Sequence, residues 1–253
     1  MILHIPHSSR TIPADVRRKM RLSDEELELE LNCMTDRWTD DLFSGAARDL
    51  DAVIVYPASR LVVDPERFVE DASEPMAAHG MGAIYLRTSH GMLLREAPAP
   101  EEREDLLARY YHSHHHLLDK AVERELRTSG NALIIDCHSY PLKPLPYEQD
   151  PSRQRPEICI GTDDFHTPPD LGASAARLFG DRGYGVALNT PFAGSIVPSR
   201  WFRRDPTVRS IMIEVRRDLY MDERTGERLP GFDALRADVQ EVIRDLASSP
   251  GAA

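Results

Sequence analysis

Asp136-Cys137-His138-Ser139 closes an apolar run, Asn131 to Ile135. The run reads as a short buried strand over 131–137. An acid and an imidazole two residues apart on a strand share one face. The first residues repeat the plan: Met1-Ile2-Leu3-His4-Ile5 is a short apolar strand that runs into Pro6-His7-Ser8-Ser9. Two strands that each deliver a histidine at the carboxyl end point to one shared site, because open α/β sheets bind ligands there. Histidine is also the commonest metal ligand. His7 and His138, joined by an acid, would make the two-nitrogen, one-oxygen set of an open catalytic zinc site. Asp36 and Asp40 are the candidate acids. Either histidine alone is equally well read as a capping residue on a nearby carbonyl. No HExxH occurs, so such a site has to be assembled from distant segments.

Other residues could complete the chemistry. Asp136 shares the face of His138, where a carboxylate orients a ligand ring and raises its basicity; pairing with an arginine is the plain alternative. Glu214 lies inside Ile211-Met212-Ile213-Glu214-Val215-Arg216. Alternation puts Glu214 and Arg216 on one side and Ile211, Ile213 and Val215 on the other. A carboxylate within an apolar strand is costly unless paired or functional. It reads either as half of a buried ion pair or as a general base beside a metal-activated water. Arg60 and Arg67 flank Leu61 to Glu66 and are suited to gripping a carboxylate bidentately, or to plain pairing with Asp64 and Glu66. Asn189 to Ser195 follows a strand and supplies donors at a cleft edge. Arg60, Arg67, Asn189 and Arg216 are thus the expected substrate-binding set. His112, His114, His115 and His116 crowd one predicted helix; His112 and His116 have the i,i+4 spacing that can chelate a metal, but the four cannot all face one way, and the expectation is a partly exposed helix with one histidine turned into the cleft. There is no Walker loop, no GxGxxG and no G-x-S-x-G elbow. Ser8, Ser9 and Ser139 neighbour histidines, but adjacency in sequence does not make a nucleophile–base pair.

The elements that must position these groups alternate along the chain. Strands are expected at 1–5, 52–56, 60–64, 131–137, 157–160, 184–188 and 210–217. Helices are expected at 14–32, with Ser23 as an N-cap signal, and at 36–49, 100–128, 170–180 and 231–247. Residues 65–98 form a long connection, and 141–156 a polar, proline-rich loop. This pattern implies a single α/β domain over 1–253, a mostly parallel mixed sheet with helices on both faces. The 253 residues are 41% hydrophobic, enough for a sizeable core. A net charge of −11 argues against nucleic acid. No apolar run reaches a membrane span of about 20 residues, and Met1 begins directly in a strand without a leader. The three cysteines, Cys33, Cys137 and Cys159, are odd in number and widely spaced, so reduced thiols and a cytoplasmic setting are expected.

The ordered segments also carry a resemblance. Pro6-His7-Ser8, Thr35-Asp36 through Phe43, Ser59-Arg60 through Phe68, Asp136 to Ser139, Asn189 to Gly194, and Glu214-Val215-Arg216 through Glu223 resemble the N-formylglutamate amidohydrolase family. The resemblance implies a fold like that of the zinc carboxypeptidases and aspartoacylase. It implies one bound zinc ion and hydrolysis of a small anionic N-acyl amino acid, typically N-formyl-L-glutamate to formate and glutamate in histidine degradation. It implies His7, Asp36 and His138 as metal ligands, Glu214 as the residue that activates water, and Arg60 and Arg67 as the carboxylate clamp. His115 matches a family histidine on that helix. Two positions depart: Asp64-Pro65-Glu66-Arg67 stands where the family has Asp-x-Asn-Arg, and Ser9 stands where glycine is frequent. Other N-acyl amino acids or small peptide amides are rival substrates, and a non-catalytic carboxylate binder is the rival of another class. Expected partners are the substrate and, at most, further copies of the chain; neither nucleic acid nor membrane is expected.

Overall fold

The computed structural model describes residues 1–148 and 155–248. Six short hydrocarbon runs make one sheet. The elements are β1 (Ile2–Ile5), α1 (Ala14–Arg17), α2 (Asp24–Met34), α3 (Thr39–Ser44), β2 (Ala52–Val55), α4 (Pro100–Leu106), α5 (Ser113–Ser129), β3 (Ala132–Tyr140), β4 (Ile158–Gly161), α6 (Pro169–Gly180), β5 (Val186–Leu188), β6 (Val208–Arg216) and α7 (Phe232–Ser248). Spatial order is β2-β1-β3-β6-β4-β5. All neighbours are parallel except β4, which runs against β6. The architecture is the expected single α/β domain.

The two faces of the sheet differ in kind. Leu3, Ile5, Leu133, Ile135, Cys137, Ile211, Ile213 and Val215 all point one way and join α3, α6 and α7 in a continuous hydrocarbon core. This is the period-2 pattern of a strand with a dry side. The opposite face changes character along its length. Its amino-terminal half is apolar, with Ile2, Ala132, Ile134 and Val208 packed with Leu118 and Val122 of α5. Its carboxyl-terminal half is polar: His4 pairs across to Asp136, and His138 pairs across to Glu214. These four side chains are buried, so each must find a partner or a purpose.

Several boundaries differ from the sequence reading. The helix expected at 14–32 is two, because Ser23 and Glu26 form a capping box that starts α2 afresh. The helix expected at 36–49 shrinks to α3, which begins only after Trp38 in the left-handed region at φ 71°. Asp36 therefore precedes the helix, and Asp36 and Asp40 do not share a helical face. The strand expected at 60–64 is not a strand. The Val62 amide turns back to the Ser59 carbonyl at 2.9 Å, and Leu61, Val62 and Val63 pack beside Leu31 and Met34 of α2. The long helix over 100–128 is present as α4, a π-helical turn over Leu107–His112, and α5, closed by Gly130 at φ 76°. The 65–98 connection carries two short 3-10 turns. Part of the expected 141–156 loop, residues 149–154, lies outside the described residues. No described helix is long and apolar enough to cross a membrane.

Candidate metal centre and active site

His7 follows β1, His138 sits in β3, and Asp36 arrives from the turn after α2. The Asp36 amide donates to the His7 carbonyl at 2.9 Å, which ties the turn to the end of β1. Asp36 Oδ2 then lies 3.2 Å from His138 Nδ1 and 3.7 Å from His7 Nδ1. The three donors are within 4.8 Å of one another and buried, a grouping able to hold a metal ion. Asp40, the other candidate acid, is exposed on α3.

The second nitrogen of each ring decides which nitrogen is available. His7 Nε2 donates to Asp64 Oδ1 at 2.9 Å. His138 Nε2 lies 3.1 Å from Asp136 Oδ1 and 3.2 Å from Glu66 Oε1. In the neutral ring, a carboxylate at Nε2 keeps the proton there and leaves Nδ1 with its lone pair, the form that a bound metal ion would select. Both Nδ1 atoms face Asp36, and that of His7 is buried without a hydrogen-bond partner. Two inward lone pairs and a carboxylate are a donor set suited to a borderline metal such as zinc, so the residues present fit such an ion.

Electrostatics favour positive charge at this point. Burial and Arg60 push His7 down, yet Asp64 and Asp36 win and hold it above its usual value. Burial lowers His138 too, but Glu66, Asp136 and Asp36 raise it well above the usual value. Asp36 is held well below the carboxylate range despite its burial, by His138, His7 and Arg217. Arg217 Nη2 meets Asp36 Oδ1 at 2.7 Å, and its other nitrogens reach the Cys33 carbonyl and Ser139. Glu214 differs. Burial pushes it up to about 7, against the pull of His138, and its Oε2 has no hydrogen-bond partner. A carboxyl poised near neutrality beside a metal set can take and return a proton.

These groups open onto a cavity of about 200 Å³, whose lining includes His7, Asp36, Arg60, Glu66, Arg67, His138, Glu214 and Arg217. A neighbouring cavity of about 550 Å³ shares Glu66, Arg67, Ala193 and Met212 with it and reaches His115. Two of the expected substrate-binding residues are elsewhere. Asn189 is exposed and exchanges two hydrogen bonds of 2.8 Å with Thr162. Arg216 leaves the end of β6 and pairs with Asp218 at 2.6 Å. Its neighbour Arg217, one residue past the strand, turns into the cavity instead. Of the histidine cluster, His112 and His116 are exposed. His115 Nε2 donates to the Pro65 carbonyl at 2.7 Å. His114 is buried against His4, Nε2 to Nε2 at 2.8 Å, and His4 Nδ1 donates to Asp136 at 2.9 Å. Burial, with His4 and His115 adding to it, drives His114 down to about 2.

Sequence reasoning passed over His4, Arg217 and the roles of Asp64 and Glu66. His4 carried a signal: it shares the face of Ile2, in a strand that pairs with the Asp136 strand. Arg217 carried none, since its direction depends on where β6 stops.

The N-formylglutamate amidohydrolase family model matches residues 1–221. The chain belongs to that family. It is a hydrolase by that membership. A crystal structure described as N-formylglutamate amidohydrolase from Ralstonia eutropha superposes with a TM-score of 0.83 at 24% identity, covering 97% of this chain and 92% of that one. A gene product of Agrobacterium tumefaciens superposes with a TM-score of 0.72 at 19% identity, covering 98% and 90%. At these identities the two likenesses speak for the fold. No curated protein sequence matches the chain.

Proposed function

We propose that this family member is a metal-dependent amidohydrolase that cleaves the linear amide of an N-acyl amino acid, of which N-formyl-L-glutamate, giving formate and glutamate, is the family's example. The observation that carries the reading is the convergence of His7 Nδ1, His138 Nδ1 and the Asp36 carboxylate at one buried point, beside Glu214 across the sheet. His7, Asp36 and His138 would hold one zinc ion. That ion supplies Lewis acidity to the amide carbonyl and to a water beside it. Glu214 takes the proton from the attacking water and returns it to the leaving nitrogen. Arg67, with Arg60 behind it, receives the substrate's carboxylate. Arg217 fixes Asp36, and Asp64 and Asp136 fix the two imidazoles. The three cysteines are all free, which supports a reducing, cytoplasmic setting.

Metal content and hydrolysis of N-formyl amino acids, measured in the wild type and in His138→Ala, test this. The wild type is expected to carry about one equivalent of metal and to lose activity with a chelator. A metal-free wild type whose hydrolysis ignores chelators refutes it.

A further inference from the structure

A line of hydrogen bonds runs from α5 to the metal point, and its outer half has no part in the chemistry above. Residues four apart on a helix share a face, so His114, Leu118 and Val122 form one stripe of α5. Leu118 and Val122 pack on the apolar half of the sheet face, with Ile2, Ala132, Ile134 and Val208. His114, one turn earlier, meets the polar half, where its Nε2 lies 2.8 Å from His4 Nε2. His4 Nδ1 is 2.9 Å from Asp136 Oδ1, and the same oxygen is 3.1 Å from His138 Nε2. Asp136 Oδ2 takes the Ile196 amide at 3.0 Å. His114, His4, Asp136 and His138 are all buried.

One arrangement of protons satisfies every N–H on this line. Asp136 is held as a carboxylate, so it accepts from both rings that touch it and His4 Nδ1 carries a hydrogen. The contact between the two Nε2 atoms needs one more. His114 Nδ1 is buried without a hydrogen-bond partner, and the Tyr56 ring stands edge to face with His114 at 5.0 Å. A proton on that nitrogen would be an orphaned donor and would oblige His4 to carry a second proton. The hydrogen therefore sits on His114 Nε2 and is donated to His4. For packing alone this histidine is a poor choice. Burial pushes it down to about 2 and leaves one nitrogen unpaired; a leucine would fill the place without either cost. What the histidine adds is one N–H aimed at the back of His4.

We infer, on the metal-dependent amidohydrolase reading, that His114 is a positioning residue of the metal centre: it holds the His4 ring in the orientation that secures Asp136, and Asp136 keeps Nδ1 of His138 turned to the metal point. His114 touches neither metal ligand nor substrate and acts only through His4.

Zinc affinity of the full chain, measured by competition with a chelator, tests this together with an imidazole ¹H–¹⁵N correlation spectrum. The spectrum is expected to show His114 protonated on Nε2 and His4 on Nδ1; a proton on His114 Nδ1 overturns the inference. His114→Leu, which deletes the donor, should weaken zinc binding about tenfold, and His114→Met replaces it if that variant does not fold. His114→Gln offers an amide N–H at the same place and should stay within about threefold of wild type. A donor-less variant that binds zinc like wild type, or a glutamine variant that loses as much as the leucine one, makes His114 merely structural and overturns the inference while the amidohydrolase reading stands. His4→Asn keeps an N–H for Asp136 but has no ring for His114 to hold, so adding His114→Leu to it should cost no further affinity; an additive loss overturns the route through His4. A wild type that binds no zinc overturns the metal-dependent reading and the role of His114 with it.

Discussion

Glu214 and Asp136 sit on the same sheet face and are tuned in opposite directions. Burial lifts Glu214 to about 7, while His138 and His4 outweigh the burial of Asp136 and hold it far below the carboxylate range. In the proposed reaction the first would exchange a proton and the second would keep a permanent charge. Glu214→Gln is therefore expected to retain metal and fold but to lower kcat by about 10²–10⁴-fold; a variant within threefold of wild type would remove Glu214 from the chemistry. Asp136→Asn keeps a hydrogen-bond acceptor for His138 but deletes the charge. Its metal affinity should fall about 10–100-fold in a chelator competition, and an unchanged affinity would show that Asp136 does not tune the ring.

At the level of elements, what could be read early depended on whether a segment carries its own pattern. β3 and β6 alternate so cleanly that their dry and site-bearing sides were legible, and with them His138 and Glu214. His7 was legible because Pro6 ends a strand beside it. Residues 60–64 look like a strand by composition, but no neighbouring strand accepts them; α2 and the Ser59 turn claim them instead. That same turn delivers Asp64 to His7 and Arg60 to Asp64, a three-way meeting that depends on tertiary docking and has no local signature. Arg216 and Arg217 make the point at one-residue scale: the end of β6 decides which of them enters the cavity. Where the signal is local it has a local energy. The Ser23 hydroxyl accepts from the Glu26 amide at 3.2 Å, and Glu26 Oε2 accepts from the Ser23 amide at 2.8 Å. Ser23→Ala is expected to cost about 1 kcal/mol in urea unfolding with an unchanged m-value; no loss would mean α2 is held by its packing alone.

Across the whole molecule, buried histidines couple stability to pH. His114 stays neutral when folded, with its pKa pushed down to about 2, against 6.5 as the ordinary value. Above pH 6.5 neither state is protonated there, so stability is full. As pH falls from 6.5 towards 2 the unfolded chain takes up a proton that the fold refuses, and stability is lost by up to about 1.4 kcal/mol per pH unit. His7 and His138, raised in the fold, act in the opposite sense. Comparing wild type with His114→Gln between pH 7 and 4.5 separates the two, and the variant should show the shallower acid loss. Equal slopes would mean that His114 is protonated in the folded protein.

The pairing of β3 with β6 sets His138 opposite Glu214 and Asp136 opposite Met212. A slip of two residues between these strands would keep every side chain on its own face, so the hydrocarbon layer alone barely opposes it. Sliding one way brings Glu214 level with Asp136, carboxylate against carboxylate. Sliding the other way brings it level with Tyr140 and away from the histidines. The His138–Glu214 pair thus doubles as an alignment mark for the centre of the sheet. A preparation could pass every test of secondary structure and still be inert in proportion to its misaligned fraction, so counting functional sites per chain measures folding fidelity in a way that spectra of the backbone do not.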